Sequence, residues 1–174
     1  KGFFQNLTGF LFRKQAGLRP DSTLPVIKTD LQTLNLSEDL LVWFGHSSYL
    51  IQMEGKRLLV DPVFCTAAPV SFVNKPFKGT EVYRPEDMPD IDWAILENGQ
   101  YNEGWKYIHL MPGYMAAVAR ELKAAKILTV HHSKYALATH PWDEPLKNAR
   151  RMRDRDSLPV VIPQIGEVVN MTGH

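Results

Sequence analysis

The stretch LVWFGHSSYLIQMEGKRLLVDPVF, residues 41–64, decides how this chain folds. Tyr49, Ile51 and Met53 alternate with Leu50, Gln52 and Glu54. Gly55-Lys56 then interrupts, and Arg57 to Val60 returns mostly apolar. A period of two on both sides of a two-residue break predicts a strand, a tight turn and a second strand. Gly55 as the first turn residue predicts a type II′ hairpin. Two features are more than a hairpin needs: Gly45-His46-Ser47-Ser48 at its entrance and Asp61-Pro62 after its second strand. Polar side chains where strands stop are candidates for a site.

Upstream, Phe3, Leu7, Phe10 and Leu11 recur at helical spacing between Lys1 and the Arg13-Lys14 pair, predicting an amphipathic helix over residues 2–15. Such a helix either rests on a lipid surface or packs on its own domain, and the second is the commoner fate. Residues 18–25 read as a loop, Val26 to Leu34 as a short strand, and Asn35 to Asp39 as a turn. Downstream, Pro69, Pro76, Gly79, Pro85 and Pro89 break every period as far as Asp92. A connection of that length is either a lid or binding loop or a surface excursion. Phe64, Phe72, Phe77 and Tyr83 favour a wall facing substrate.

Trp93 to Leu96 reads as a strand and Glu97 to Gly104 as a polar loop. Pro112 opens a helix with Met115, Val118, Ala119 and Leu122 as its buried stripe, and Ile127 to Val130 is a further strand. Strand, helix and strand in this order predict a parallel βαβ unit, whose site lies beyond the carboxyl ends of the strands, where His131 and His132 stand. Asp143 is placed to cap a helix carrying Leu146, Ala149 and Met152. Val160 to Ile162 and Glu167 to Met171 predict a closing hairpin.

The 174 residues are 44% hydrophobic, enough for one core, so a single domain spanning 1–174 is expected, residues 1–92 holding the hairpin and 93–174 the βαβ part. Twenty basic against 19 acidic residues leave a formal charge of +1, too little to hold nucleic acid through a global field. The arginines at 150, 151, 153 and 155 are interleaved with Asp154 and Asp156 and read as a solvated helix face. One cysteine, Cys65, excludes an intrachain disulfide and reads as a small buried hydrophobe. A cytoplasmic protein is expected, or a membrane-associated or exported one if a segment before Lys1 was removed.

Two blocks of the chain resemble a known family. Strand, Gly45-His46-Ser47-Ser48, strand, Gly55-Lys56-Arg57, strand, Asp61-Pro62-Val63-Phe64 is similar to the opening of metallo-β-lactamase-fold hydrolases, in the branch that includes N-acyl-phosphatidylethanolamine-hydrolysing phospholipase D. The second block resembles the closing part of that branch. It includes Glu97-Asn98-Gly99-Gln100-Tyr101-Asn102, Val130-His131 and His140-Pro141-Trp142-Asp143-Glu144-Pro145. The resemblance implies an α/β fold, the αββα sandwich, represented by the outer parts of both halves. It implies zinc, one or two ions in the intact site, and a small-molecule or lipid-like ester substrate. His131 aligns with the family's final metal histidine and Asp61 with a carboxylate behind the ligands. His46 lies close to the site, with Tyr101, Trp105 and His109 as pocket wall.

The family's His-x-His-x-Asp-His run, which follows a segment similar to Met88-Pro89-Asp90-Ile91-Asp92, is absent, because Asp92 is followed at once by Trp93. A catalytic zinc takes three protein ligands plus water, so His131 alone does not hold one. A two-histidine, one-carboxylate site rebuilt from His46, His131 and Asp61 is the improvised option. Hydrolysis of a phosphodiester or related ester is therefore expected of the intact protein and not of these 174 residues alone. The rival reading is a non-catalytic interaction or oligomerisation module, with a second copy as partner. A third is a lipid-surface protein using Phe3, Phe4 and Phe10. A Ser47 or Ser48 nucleophile lacks a Gly-x-Ser-x-Gly elbow.

Overall fold

The computed structural model describes residues 20–64, 76–99, 101, 109–135 and 138–171. The predicted helix at 2–15, Cys65, Phe72 and Trp105 lie outside them. The described residues build a mixed α/β structure around one six-stranded sheet. Its strands are β1 (Leu40–Gly45), β2 (Ser48–Met53), β3 (Lys56–Val60), β4 (Trp93–Glu97), β5 (Lys126–Val130) and β6 (Val160–Val161), lying side by side in chain order. Only β2 is antiparallel to its neighbours; β3 through β6 pair in parallel, and β1 points the same way as they do. Helix α1 (Pro112–Leu122) joins β4 to β5 and helix α2 (Glu144–Asp154) joins β5 to β6. The described residues thus form two layers, one sheet and one layer of helices.

The hairpin forms where the alternation places it, with a different turn. Met53 pairs with Lys56, so the loop is Glu54-Gly55 rather than Gly55-Lys56. Both residues have positive φ, 50° and 72°. That is the type I′ pattern, whose twist matches that of the strands, and it replaces the expected type II′. The short strand expected over Val26 to Leu34 is not formed. Asp30 instead caps a 3-10 turn at Leu31–Thr33, its carboxylate accepting from the Gln32 amide, and only Leu31 of that turn is buried. The closing hairpin is also absent among the described residues. Val160–Val161 adds to β5 in parallel, and Gln164 to Glu167 makes a turn with no strand after it. Asp143 precedes α2 but its side chain bonds no helix amide. It pairs with Lys147 at 2.8 Å instead.

The two faces of the sheet differ. One carries Val42, Leu50, Leu59, Ala94, Ile127 and Val160 as a register row, and Leu50, Leu59, Ala94 and Ile127 are fully buried. Met115, Ala119 and Leu122 of α1 and Ala149 and Met152 of α2 close over it, as the helical stripe predicts for α1. Gln52, buried on the same face, is satisfied rather than stranded. Its amide donates to the carbonyls of Asn35 and Glu38, and its oxygen accepts from Arg57 Nε. The opposite face carries Leu41, Ile51, Leu58, Trp93 and Lys126 in one row, and Trp43, Tyr49, Val60, Ile95, Leu128 and Val161 in the next. None of these side chains joins the core cluster. Leu41 is 59% exposed, Trp43 66% and Met53 54%, whereas Trp93 is buried.

Candidate functional site

Because β1 and β3 to β5 run the same way, their carboxyl ends share one rim of the sheet. His46 follows β1, Asp61 follows β3, Glu97 ends β4 and His131 follows β5. Sequence reasoning placed His46, Asp61 and His131 at strand ends, and topology gathers them here. All three adopt left-handed backbone, with φ of 51°, 42° and 66°. That region costs a non-glycine residue on the order of 1 kcal/mol and concentrates at functional sites.

The side chains have definite partners. The Ser47 hydroxyl donates to Asp61 Oδ2 at 2.7 Å, and the Asp61 amide donates to the Ile95 carbonyl, fixing the loop after β3 against β4. The His46 carbonyl accepts from Trp43 Nε1 at 2.9 Å while its imidazole is exposed. Glu97 continues the Trp93-Ile95 alternation, so it projects on the same side of the sheet as those residues, and it is buried. Its Oε1 is in close contact with Nδ1 of half-buried His109. Burial pushes the Glu97 carboxyl above the usual range. The neighbouring His109 opposes that shift, Asp61 adds to it, and His131 opposes it more weakly. A carboxyl that resists ionisation, in contact with an imidazole, is a proton-holding pair. The contact escapes sequence reading because no local periodicity relates positions 97 and 109. The alternation of β4 was the available signal for which way Glu97 points.

Tyr101 is scaffold. It is buried, its hydroxyl donates to Glu144 Oε1 at 3.0 Å and accepts from Asn148 at 2.8 Å, and its ring stacks on His140 at 4.3 Å. Burial, with the Glu144 carboxylate second, raises its phenol well above the usual value. His132 and His140 spend both ring nitrogens on protein partners: His132 on Thr129 and Ser133, His140 on the carbonyls of Pro141 and Gly99. Burial lowers the His132 pKa and favours the neutral ring. Gly99 passes so close to β5 that a Cβ there would stand 1.9 Å from the His131 carbonyl oxygen. Beside it, Asn98 is fully buried, its amide nitrogen donating to the Pro145 carbonyl while Oδ1 finds no partner among the described residues.

The resemblance implies zinc, and the described residues do not fit it. Among them no three of His, Cys, Asp and Glu converge as an ion requires. Glu97 is taken up by His109, Asp61 Oδ2 by Ser47, and His132 and His140 by their own loops.

Comparison with known proteins agrees with the resemblance. No family model matches the chain. Over 88 residues it is 35% identical to N-acyl-phosphatidylethanolamine-hydrolyzing phospholipase D 1 of Caenorhabditis elegans, covering 47% of this chain and 24% of that protein. Over 46 residues it is 46% identical to outer membrane protein RomA of Klebsiella pneumoniae, covering 26% of this chain and 35% of that one. An uncharacterized protein of Mycobacterium bovis, Mb0930, is 28% identical over 90 residues, half of this chain and 24% of its own length. The chain thus matches between about a quarter and a third of the length of these relatives. A solved structure from Thermotoga maritima, assigned to the metallo-β-lactamase superfamily, superposes with a TM-score of 0.30 at 18% identity, over 62% of this chain and 84% of that one.

Proposed function

We propose, for a chain related in sequence to the N-acyl-phosphatidylethanolamine phospholipase D branch of the metallo-β-lactamase-fold hydrolases, that it is the sheet-and-helix layer of such a hydrolase. In its intact form the protein acts on a phosphodiester or related ester with the help of metal. The 174 residues are not a complete catalytic set. One observation supports this reading above the others: Asp61, Glu97 and His131 stand at the carboxyl ends of three adjacent parallel strands, where α/β sheets carry their sites.

What these residues do follows from their surroundings. Asp61 is held by the Ser47 hydroxyl and by the Ile95 carbonyl of β4. Glu97 and His109 hold a proton between them at the edge of the open face. His131, exposed and on strained backbone, stands where a reacting group would approach the rim. The described donors do not converge on a metal ion.

The purified chain, assayed against bis(p-nitrophenyl) phosphate with and without added zinc, is expected to show no turnover above buffer. Turnover that is abolished both by chelation and by His131→Ala would overturn the incomplete-set reading. The mass of the purified chain and the sequence of its gene establish whether residues stand between Asp92 and Trp93 in the natural protein. If they do, the longer form is expected to hydrolyse the same substrate in a zinc-dependent way.

A further inference from the structure

We infer that a cleft beside the rim, between the loop after β4 and the connection from β5 to α2, binds a small aromatic phosphate. One flat ring is held by Tyr135 and Trp142, with its anionic group toward Lys134. Tyr135 and Trp142 both line the cleft, and Gly99, Ser133, His140 and Pro145 line it between them. Tyr135 is 71% exposed and Trp142 73%, so most of each ring is left uncovered by the fold. Two aromatic side chains open at one cleft are ready surfaces for stacking. The floor is held in place. Gly99 lies against the His131 carbonyl with no room for a Cβ, and His140 is fixed by two carbonyls and stacked on Tyr101. None of Asp61, Glu97 and His131 lines the cleft, so this inference holds whether or not the intact protein hydrolyses an ester.

The chemistry of the floor selects the occupant. His140 spends its ring nitrogens on the Pro141 and Gly99 carbonyls, and His132 spends its own on Thr129 and Ser133. On the floor, that leaves the Ser133 hydroxyl with hydrogen-bonding capacity to spare. A sugar or a peptide brings several donors and acceptors, and most of them would go unmet there. A flat ring asks for faces rather than hydrogen bonds, and Tyr135 and Trp142 supply them. Size agrees. The cleft holds about 280 Å³ counted with its open mouth, below the roughly 300–1,000 Å³ of pockets for drug-sized ligands. That suits a single ring and is too small for a long acyl chain. Charge sets the substituent on the ring. Among the described residues no carboxylate lines the cleft, and the exposed Lys134 places its Nζ 5.8 Å from the centroid of the Tyr135 ring. A phosphate on the stacked ring meets that ammonium and the Ser133 hydroxyl.

Isothermal titration calorimetry of the full 174-residue chain with p-nitrophenyl phosphate tests it, and reads binding without any turnover. A millimolar or tighter dissociation constant is expected. Inorganic phosphate and benzyl alcohol, which each carry half of the ligand's chemistry, are expected to bind at least tenfold more weakly. Trp142→Ala and Tyr135→Ala should each weaken p-nitrophenyl phosphate about fivefold or more, the lower end for a stacked ring. Both side chains are largely exposed, so the variants are expected to keep the circular dichroism of the parent. Lys134→Gln, which leaves the rings in place, should bring the affinity down toward that of benzyl alcohol. Tyr114→Ala, on the exposed side of α1, should leave it unchanged. No binding at millimolar concentration, inorganic phosphate binding as tightly as the aromatic ester, or binding that survives both aromatic substitutions overturns the inference.

Discussion

At the scale of single residues, the rim is defined by backbone as much as by side chains. His131 sits at φ 66° directly after β5, a conformation that glycine adopts freely and alanine does not. His131→Gly is therefore expected to be more stable than His131→Ala by about 1 kcal/mol in urea denaturation, although both lose the imidazole. Equal stabilities would mean the strain is absent. Glu97 gives a pH-dependent prediction. Burial raises its folded pKa above the unfolded value of 4.5, so the folded chain holds the proton more tightly than the unfolded one. That contribution is fully present below the unfolded value and is lost as pH rises through the folded one. Glu97→Gln, which mimics the protonated carboxyl, is expected to raise the melting temperature near neutral pH and to change it little at about pH 4. A variant destabilised at neutral pH would show that the ionised pair with His109 outweighs the cost of burying the charge. Asp61 and His131 were legible in sequence because each follows directly on a strand. The contact of Glu97 with His109 joins two positions that no local pattern relates.

At the scale of elements, strongly periodic segments were readable and their ends were not. The β2–β3 hairpin, α1 and the β4–α1–β5 unit follow from alternation and helical spacing. The turn differed by one residue because Glu54, Gly55 and Lys56 are all acceptable turn residues. Register decided it, through Met53 opposite Lys56. Val26 and Ile27 read as strand by β-propensity, yet they are 48% and 86% exposed and pair with no strand. Propensity without a partner does not make a strand. The loop after β4 is anchored to α2 by the Tyr101 hydroxyl, which serves Glu144 and Asn148 together. Tyr101→Phe leaves both without that partner in a buried setting, and a loss of about 1–3 kcal/mol is expected by chemical denaturation. A neutral result would mean that Glu144 and Asn148 find water instead.

At the scale of the whole molecule, the decisive feature is that one sheet carries two apolar faces of unequal burial. Leu58 and Leu59 are neighbours on β3, made of the same atoms and pointing to opposite sides. Leu59 is fully buried against the helices, whereas Leu58 lies on the open side between Ile51 and Trp93. Truncating Leu59 opens a cavity in a packed core, and Leu59→Ala is expected to cost about 2–5 kcal/mol at any protein concentration. Leu58→Ala removes apolar surface that is only half-buried. It is expected to cost less, about 1 kcal/mol or under. Urea denaturation of the two alanine variants reads both costs. If Leu58→Ala costs as much as Leu59→Ala, this face of the sheet is as tightly covered as the helix side, and the two-layer description of the fold fails with it.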